Sequence, residues 1–393
     1  MSSLTLIFTV LAAASSRASE VFGTIRRTIL TPIGRVFDFL LAPVDRAFRP
    51  LAKVFNRTLG KFLGTVTGLQ LAFVLTTFLL LLTGGIWGAS IIAFEPGEGL
   101  IALDIRRPLA YACIWAVFAM GWDIQSGYTG YISFGHSVLS GGAAYTTAVL
   151  LNEVSSTLPL YVTAPISVFA AVVIGLLIAL PSLRLQGPYF SLITFAAVLL
   201  FFQATRAFDI LGGSAGLRIT RVIPAADSFT RYYLLLIPML LIAVALTVLS
   251  RSNYGLIFTA IRENEDAVSA AGINPTKFKI WSFLISSIVM GIGGVMLTAA
   301  VSNVDPTQFV QVDRSIEMIA MAVVGGIATV LGAMGGAFVF FLLKEVVLNL
   351  FIDEAALRLF VLFLLVVLIL VFARDGLFRK LWHRLGQIGG EEP

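Results

Sequence analysis

Charge is scarce in this chain. Of 393 residues only 12% are Asp, Glu, Lys or Arg, while 58% are hydrophobic, and the mean hydropathy is +0.95. A soluble domain carries roughly 25% charged residues, and a chain with half that share cannot cover a water-facing surface with polar groups. A bilayer removes the requirement, because lipid solvates an apolar exterior. Cysteine occurs once, at Cys113, which excludes an intrachain disulfide and a cysteine metal cluster. Histidine occurs twice, at His136 and His383, too few for a histidine-rich metal centre. There is no low-complexity tract, no obvious repeat of 20–50 residues and no phosphate-binding Lys-Ser or Lys-Thr loop. The composition points to an all-α integral membrane protein with no metal or cofactor of its own. The net charge of +5 reads as the Lys/Arg bias of loops facing anionic lipid, not as a nucleic-acid surface.

What is present is a succession of apolar runs. A crossing helix needs about 20 apolar residues. The runs at 69–94, 108–122, 136–151, 159–181, 188–206, 232–250, 280–301, 315–331, 332–350 and 357–373 predict about ten transmembrane helices, some broken or re-entrant. Residues 315–350 are too long for one crossing, and Gly325, Gly326, Gly332, Gly335 and Gly336 are expected to supply the break. Residues 1–68 hold nine basic residues against three acids, with apolar residues every three or four positions, the pattern of a segment lying on a membrane surface. Leu4–Ala14 has the apolar character of a signal-peptide core, but no basic segment precedes it, which argues against cleavage. The expected organisation is a basic amphipathic segment at 1–68, a transmembrane domain at 69–373 and a tail at 374–393. Ten crossings put both termini on one side. That side carries 18 Lys and Arg and the other eight, so both termini are expected in the cytoplasm.

Four stretches depart from ordinary spanning helix. Gly121–Tyr145 sets Gly127, Gly130 and Gly135 among Tyr128, Ser133, Phe134 and His136, and four glycines in fifteen residues weaken a helix by about 1 kcal/mol each. Such a break at membrane depth serves either as a polar interhelical loop or as the positive end of a half-helix facing an anionic solute group. Leu185–Phe195 opens a helix at Gly187–Pro188, with Tyr189, Phe190 and Thr194 following; an interfacial belt explains the aromatics equally well. Leu211–Leu217, with Gly212, Gly213 and Ser214, is a glycine-rich turn. Arg251–Lys279 is read as a short helix between two spans. Ile257, Ile261, Val268 and Ala271 share an approximate face, and Arg262, Glu263, Glu265 and Asp266 occupy the others. Gly272 ends it and Pro275 follows. Its mixed charge suits docking to a soluble partner, or simple solvation.

At these stretches the chain resembles the branched-chain amino-acid ABC transporter permeases of the LivM type. The resemblance rests on Gly127, Gly130, Ser133, Gly135 and His136, on Gly187–Phe190 with Thr194, on Gly212–Leu217, and above all on the AIRENE run that begins at Ala260 and continues to Asn274. Pro306 with Phe309, Ser315, Gly325–Gly326 and Gly332 also fit, and the likeness covers roughly residues 100–373. It implies a permease subunit in the cell inner membrane that imports branched-chain amino acids and is not itself an enzyme. The implied partners are a second permease subunit, two cytoplasmic ATPase subunits and an extracytoplasmic substrate-binding protein, with membrane lipid around them. The substrate pathway would take in Gly127, Tyr128, Gly130, Ser133, Phe134, Gly135, His136, Gly187, Tyr189, Phe190, Thr194, Gly212, Gly213 and Ser214. ATPase coupling would fall to Ala260, Arg262, Glu263, Asn264, Glu265, Ala267 and Gly272. The chain departs from the usual pattern at Ala143, Gln186, Leu199 and Ala215, and relatives in the superfamily move urea, short amides or sugars. Two further readings are an ion-coupled secondary transporter using Asp123, Glu317 or Glu345, and an intramembrane enzyme with His136, Asp123 and Ser133 in mutual reach. Of these acids, Glu345 neighbours Lys344 near a helix end, which favours a snorkelling or paired structural role over ion coupling.

Overall fold

The computed structural model of the chain describes residues 105–183, 185, 187–219 and 228–372, the strands at 91–95 and 99–103, and single positions at 50, 52–54, 56, 77, 376 and 378. The chain divides into two compact units, Met1–Thr77 with Trp382–Pro393, and Phe78–Leu381. The second carries the helical bundle. The expected surface segment 1–68 and tail 374–393 lie outside the described residues except at those single positions. So does the expected span 69–94, apart from Thr77 and its last residues. Those last residues form a strand: β1 (Ile91–Glu95) pairs antiparallel with β2 (Gly99–Leu103), Ile91 opposite Leu103.

The bundle is built around α1 (Arg106–Trp122), which has no polar face to turn outward and is buried from Leu109 to Trp122 apart from Tyr111. A helix apolar on every side belongs inside, and the lone Cys113 is sealed within it. A wide π-helical turn, Asp123–Gly127, ends it. After a non-helical stretch come α2 (His136–Val149) and α3 (Leu160–Ser182). Then follow α4 (Pro188–Ala207) and α5 (Ser228–Ser250). Two short helices, α6 (Asn253–Glu263) and α7 (Glu265–Ala270), precede the long α8 (Pro275–Ala300). The chain closes with α9 (Pro306–Phe309), α10 (Val312–Gly325), α11 (Val330–Leu342), α12 (Leu348–Phe351) and α13 (Ala355–Phe372). Helices α2, α5, α8, α10 and α11 all pack on α1 or on one another around it.

Among the described residues five helices are long and apolar enough to cross a membrane: 160–182, 188–207, 229–250, 275–300 and 330–351, with 356–371 a shorter apolar helix. Among the described residues the fold is helical with two small exceptions to the all-α expectation, the β1–β2 pair and a two-residue pair of β3 (Leu217–Arg218) with β4 (Asn303–Val304). The break after α10 falls at 326–329, where Gly326 and Ala328 have positive φ. Gly332 and Gly336 do not break the chain as the sequence suggested; they lie inside α11. A Cβ on Gly336 would stand 2.1 Å from the Met321 carbonyl, and one on Gly325 would stand 1.9 Å from that of Gly332. These glycines let α10 and α11 touch backbone to backbone.

Connections sort to two ends of the bundle. The stretch 128–135, the start of α4, α6–α7 and the 326–329 break meet at one end. The 211–219 turn and β4 meet at the other.

Candidate functional site

The site sits where the break after α1 meets α6 and α7. Four amide donors between Ser133 and Ser137, leading into α2, are already engaged. The amide of Ser133 donates to Ser126 Oγ, that of Phe134 to Thr194 Oγ1 and that of Gly135 to Ser133 Oγ, each at 3.1 Å. The Ser137 amide donates to Ser315 Oγ at 3.1 Å. A helix start normally leaves such amides open; here hydroxyls fill them, so the donors that the sequence offered to a solute carboxylate are committed within the protein. The carbonyls are braced too. Trp122 Nε1 donates to Ser133 O at 2.9 Å, Gln125 Nε2 to Tyr131 O at 3.1 Å and Ser191 Oγ to Ile132 O at 2.6 Å. Ser286 Oγ donates to Gly121 O at 2.6 Å, so His136 must supply the proton in its 2.9 Å contact with Ser286 and carries hydrogen on Nε2.

Asp123 and Gly127 explain each other. Asp123 Oδ1 accepts from the Ala328 amide at 2.7 Å, reaching from α1 to the 326–329 break just before α11. A Cβ on Gly127 would lie 1.9 Å from that oxygen and 3.0 Å from the Ala328 nitrogen. Arg262 of α6 donates from Nη1 to Gly127 O at 3.1 Å, and its stem lies where a Cβ on Gly130 would come within 3.1 Å of Arg262 Cγ. Gly130 itself has φ +78°.

Beside this contact three groups from three elements converge. Lys279, near the start of α8, is 2% exposed. Its Nζ donates to Glu265 Oε1 at 2.7 Å and to Tyr131 Oη at 3.0 Å, and lies 4.3 Å from the centre of the Tyr131 ring. Tyr131 in turn donates its hydroxyl hydrogen to Glu265 Oε2. Burial of Glu265 pushes its carboxyl up, but the hydrogen bonds from Lys279 and Tyr131 and the Lys279 charge outweigh that, holding it below the ordinary carboxylate value. The Tyr131 ring also meets Phe190 edge-on, centroids 5.4 Å apart.

The structure therefore joins part of the expected pathway and separates the rest. Gly127, Gly130, Ser133, Phe134, Gly135 and His136 sit together with Phe190 and Thr194, whereas Tyr189 is 66% exposed and faces away from the core. Gly187 takes φ +59° just before α4. Gly212, Gly213 and Ser214 lie beyond the far end of α4, about 30 Å along it at 1.5 Å per residue. The expected docking helix is in fact two, because Asn264 adopts extended backbone and caps α7 by accepting from the Ala267 amide at 3.0 Å. Ala260, Arg262, Glu263, Asn264, Ala267 and Gly272 are exposed around it, and Gly272 has the expected positive φ of +82°. Among the acids weighed for ion coupling, Glu317 pairs with Arg314 at 3.2 Å and with Lys344 at 2.6 Å, so Lys344 does not depend on Glu345. His136 bonds to Ser286, Asp123 to the Ala328 amide and Ser133 Oγ to the Gly135 amide, so no hydrogen bond between side chains joins the three to one another.

Sequence reasoning missed Tyr131 and Lys279. The available signal was a lysine only four residues into a long apolar helix, where an ammonium needs a partner.

Five apolar helices of crossing length among the described residues, with polar chemistry concentrated at helix breaks, define an integral membrane protein. The profile of the family described as "Branched-chain amino acid transport system / permease component" matches residues 105–371, and the chain belongs to that family. Two LivM proteins, each described as a high-affinity branched-chain amino acid transport system permease protein, are 26% identical to it. The match with that of Salmonella typhimurium runs over 247 residues and that with Escherichia coli over 246, each taking in 55% of this chain and 57% of the relative. The chain thus spans little more than half the length of these relatives. A ribose import permease, RbsC of Haemophilus influenzae, is also 26% identical, over 49% of this chain and 60% of its own.

Proposed function

We propose that this chain is a permease subunit of an ATP-binding-cassette importer for branched-chain amino acids in the cytoplasmic membrane, with both termini in the cytosol. A second permease subunit would complete the translocation path, two ATPases would bind on the cytoplasmic side with α6 and α7 resting in a groove of one of them, and an extracytoplasmic binding protein would deliver the solute. The single observation that carries this is the α6–α7 pair: an exposed, charged surface anchored from within by Phe258, Ile261 and Val268 and bonded through Arg262 to the break after α1. A lever needs both an outer grip and an inner attachment, and this segment has both. The pathway would run past Tyr128, Ser133, Phe134 and Thr194, with Gly212–Ser214 at its outer mouth.

A second reading, import of a neutral sugar or amide, is favoured by the hydroxyl-filled amides at the start of α2, which leave little for a carboxylate. One experiment separates the two. In proteoliposomes holding the four-component complex, leucine-loaded binding protein is expected to stimulate ATP hydrolysis. Stimulation by ribose or urea and by no amino acid would assign the second reading. Failure of any ATPase to cross-link to a cysteine placed at Ala260 would overturn both.

A further inference from the structure

The break after α1 is not merely near α7; it is fastened to it. Tyr131, Glu265 and Lys279 come from three separate elements, and each bonds to both of the others. Lys279 is nearly sealed from solvent, and an ammonium in that position loses its compensation if either partner leaves. The break is in turn tied by Asp123 to the second break at Ala328.

We infer that the Tyr131–Glu265–Lys279 clamp is the positioning device that makes α7 move together with the break after α1, and that Asp123 hands this movement on to the break before α11. The inference rests on the reading of α6–α7 as the ATPase docking segment. A clamp of this kind determines how much transport each hydrolysis yields, not whether hydrolysis occurs. A ring of mutual bonds holds one geometry, so a displacement of α7 must carry Tyr131 with it or break the ring. Coupling over distance requires an element with two arrangements; the stretch 128–135, which leaves the helix at Gly130 and carries Tyr131, would be that element.

The test uses the full importer in proteoliposomes, measuring leucine uptake and phosphate release in the same vesicles. Tyr131→Phe is expected to hydrolyse ATP within about twofold of wild type while importing about tenfold less per ATP, the size of a typical coupling between sites, and Glu265→Gln is expected to lower the same uptake-to-hydrolysis ratio by a similar factor. The exchanged pair Glu265→Lys with Lys279→Glu is expected to recover most of the lost ratio. An unchanged ratio in every variant would overturn the inference. So would a parallel fall of uptake and hydrolysis, which would mean that the clamp only keeps the docking surface in shape. A second measurement does not depend on the partners. In the purified subunit, Glu265→Gln is expected to speed amide exchange at 130–135, and unchanged exchange there would show that the clamp does not hold the break. If the wild-type complex fails to couple hydrolysis to any solute while this exchange effect stands, the docking reading falls and the clamp remains.

Discussion

At the scale of single residues, the chemistry turns on groups with no room to vary. Glu265→Gln removes the charge facing nearly buried Lys279, and the loss is expected to be about 1–3 kcal/mol, below the range of about 3–5 kcal/mol for a fully buried pair because Glu265 is itself partly open to water. The pH dependence has a definite sign. The folded carboxyl titrates below its ordinary value, so its stabilisation is complete above that value and is lost as pH falls through the lower, folded one. Melting temperatures of wild type and variant in detergent should therefore differ by the same amount at about pH 6 and about pH 8, and converge only in acid. Gly127→Ala must displace either Asp123 or the Ala328 backbone, so it is expected to destabilise the protein more than Gly187→Ala, which meets nothing within 4 Å and costs only the backbone strain of its φ of +59°, about 1–3 kcal/mol. Comparing the two melting temperatures checks this. The glycines were legible in the sequence as a cluster out of place in a helix. Their reason was not, because it is an aspartate four positions earlier and an alanine from a distant turn.

At the scale of elements, caps decide where helices begin. Asn264 and Asn274 cap α7 and α8 with their side-chain oxygens, accepting from Ala267 and Lys277. Asn264→Ala is expected to cost about 1 kcal/mol of local helix stability, seen as faster amide exchange at 265–270 and weaker ATPase binding, with α8 unaffected. Thr194→Val leaves the Phe134 amide without its acceptor, at about 1–3 kcal/mol, and a melting temperature equal to wild type would refute that account. Spans α3, α4 and α5 were readable within a few residues, since long apolar runs and Pro188 mark them plainly, whereas α8, expected from 280, begins five residues earlier at Pro275. The split at Asn264 was readable too, from a strong capping residue followed by Glu265 and Asp266 in the first turn. It was passed over because the apolar face continues across it. The π-helical turn at 123–127 leaves no such mark, because its wide turn is held by contacts from other helices.

At the scale of the whole chain, the membrane class and the family followed from composition and motifs. The arrangement around α1 did not, because a helix buried on every side shows no periodicity to orient it. Nor did the β3–β4 pair, two residues long and set only by where two connections happen to meet. The sealed position of Cys113 has a practical consequence. With its one thiol walled off, the natural chain is already silent toward water-soluble maleimides, and no cysteine-free background has to be engineered. A thiol introduced at Glu263 should then be alkylated only from the ATPase side and one at Ser214 only from the opposite side. Reaction of both from the same compartment would mean that the bundle is not threaded through the membrane in the order described.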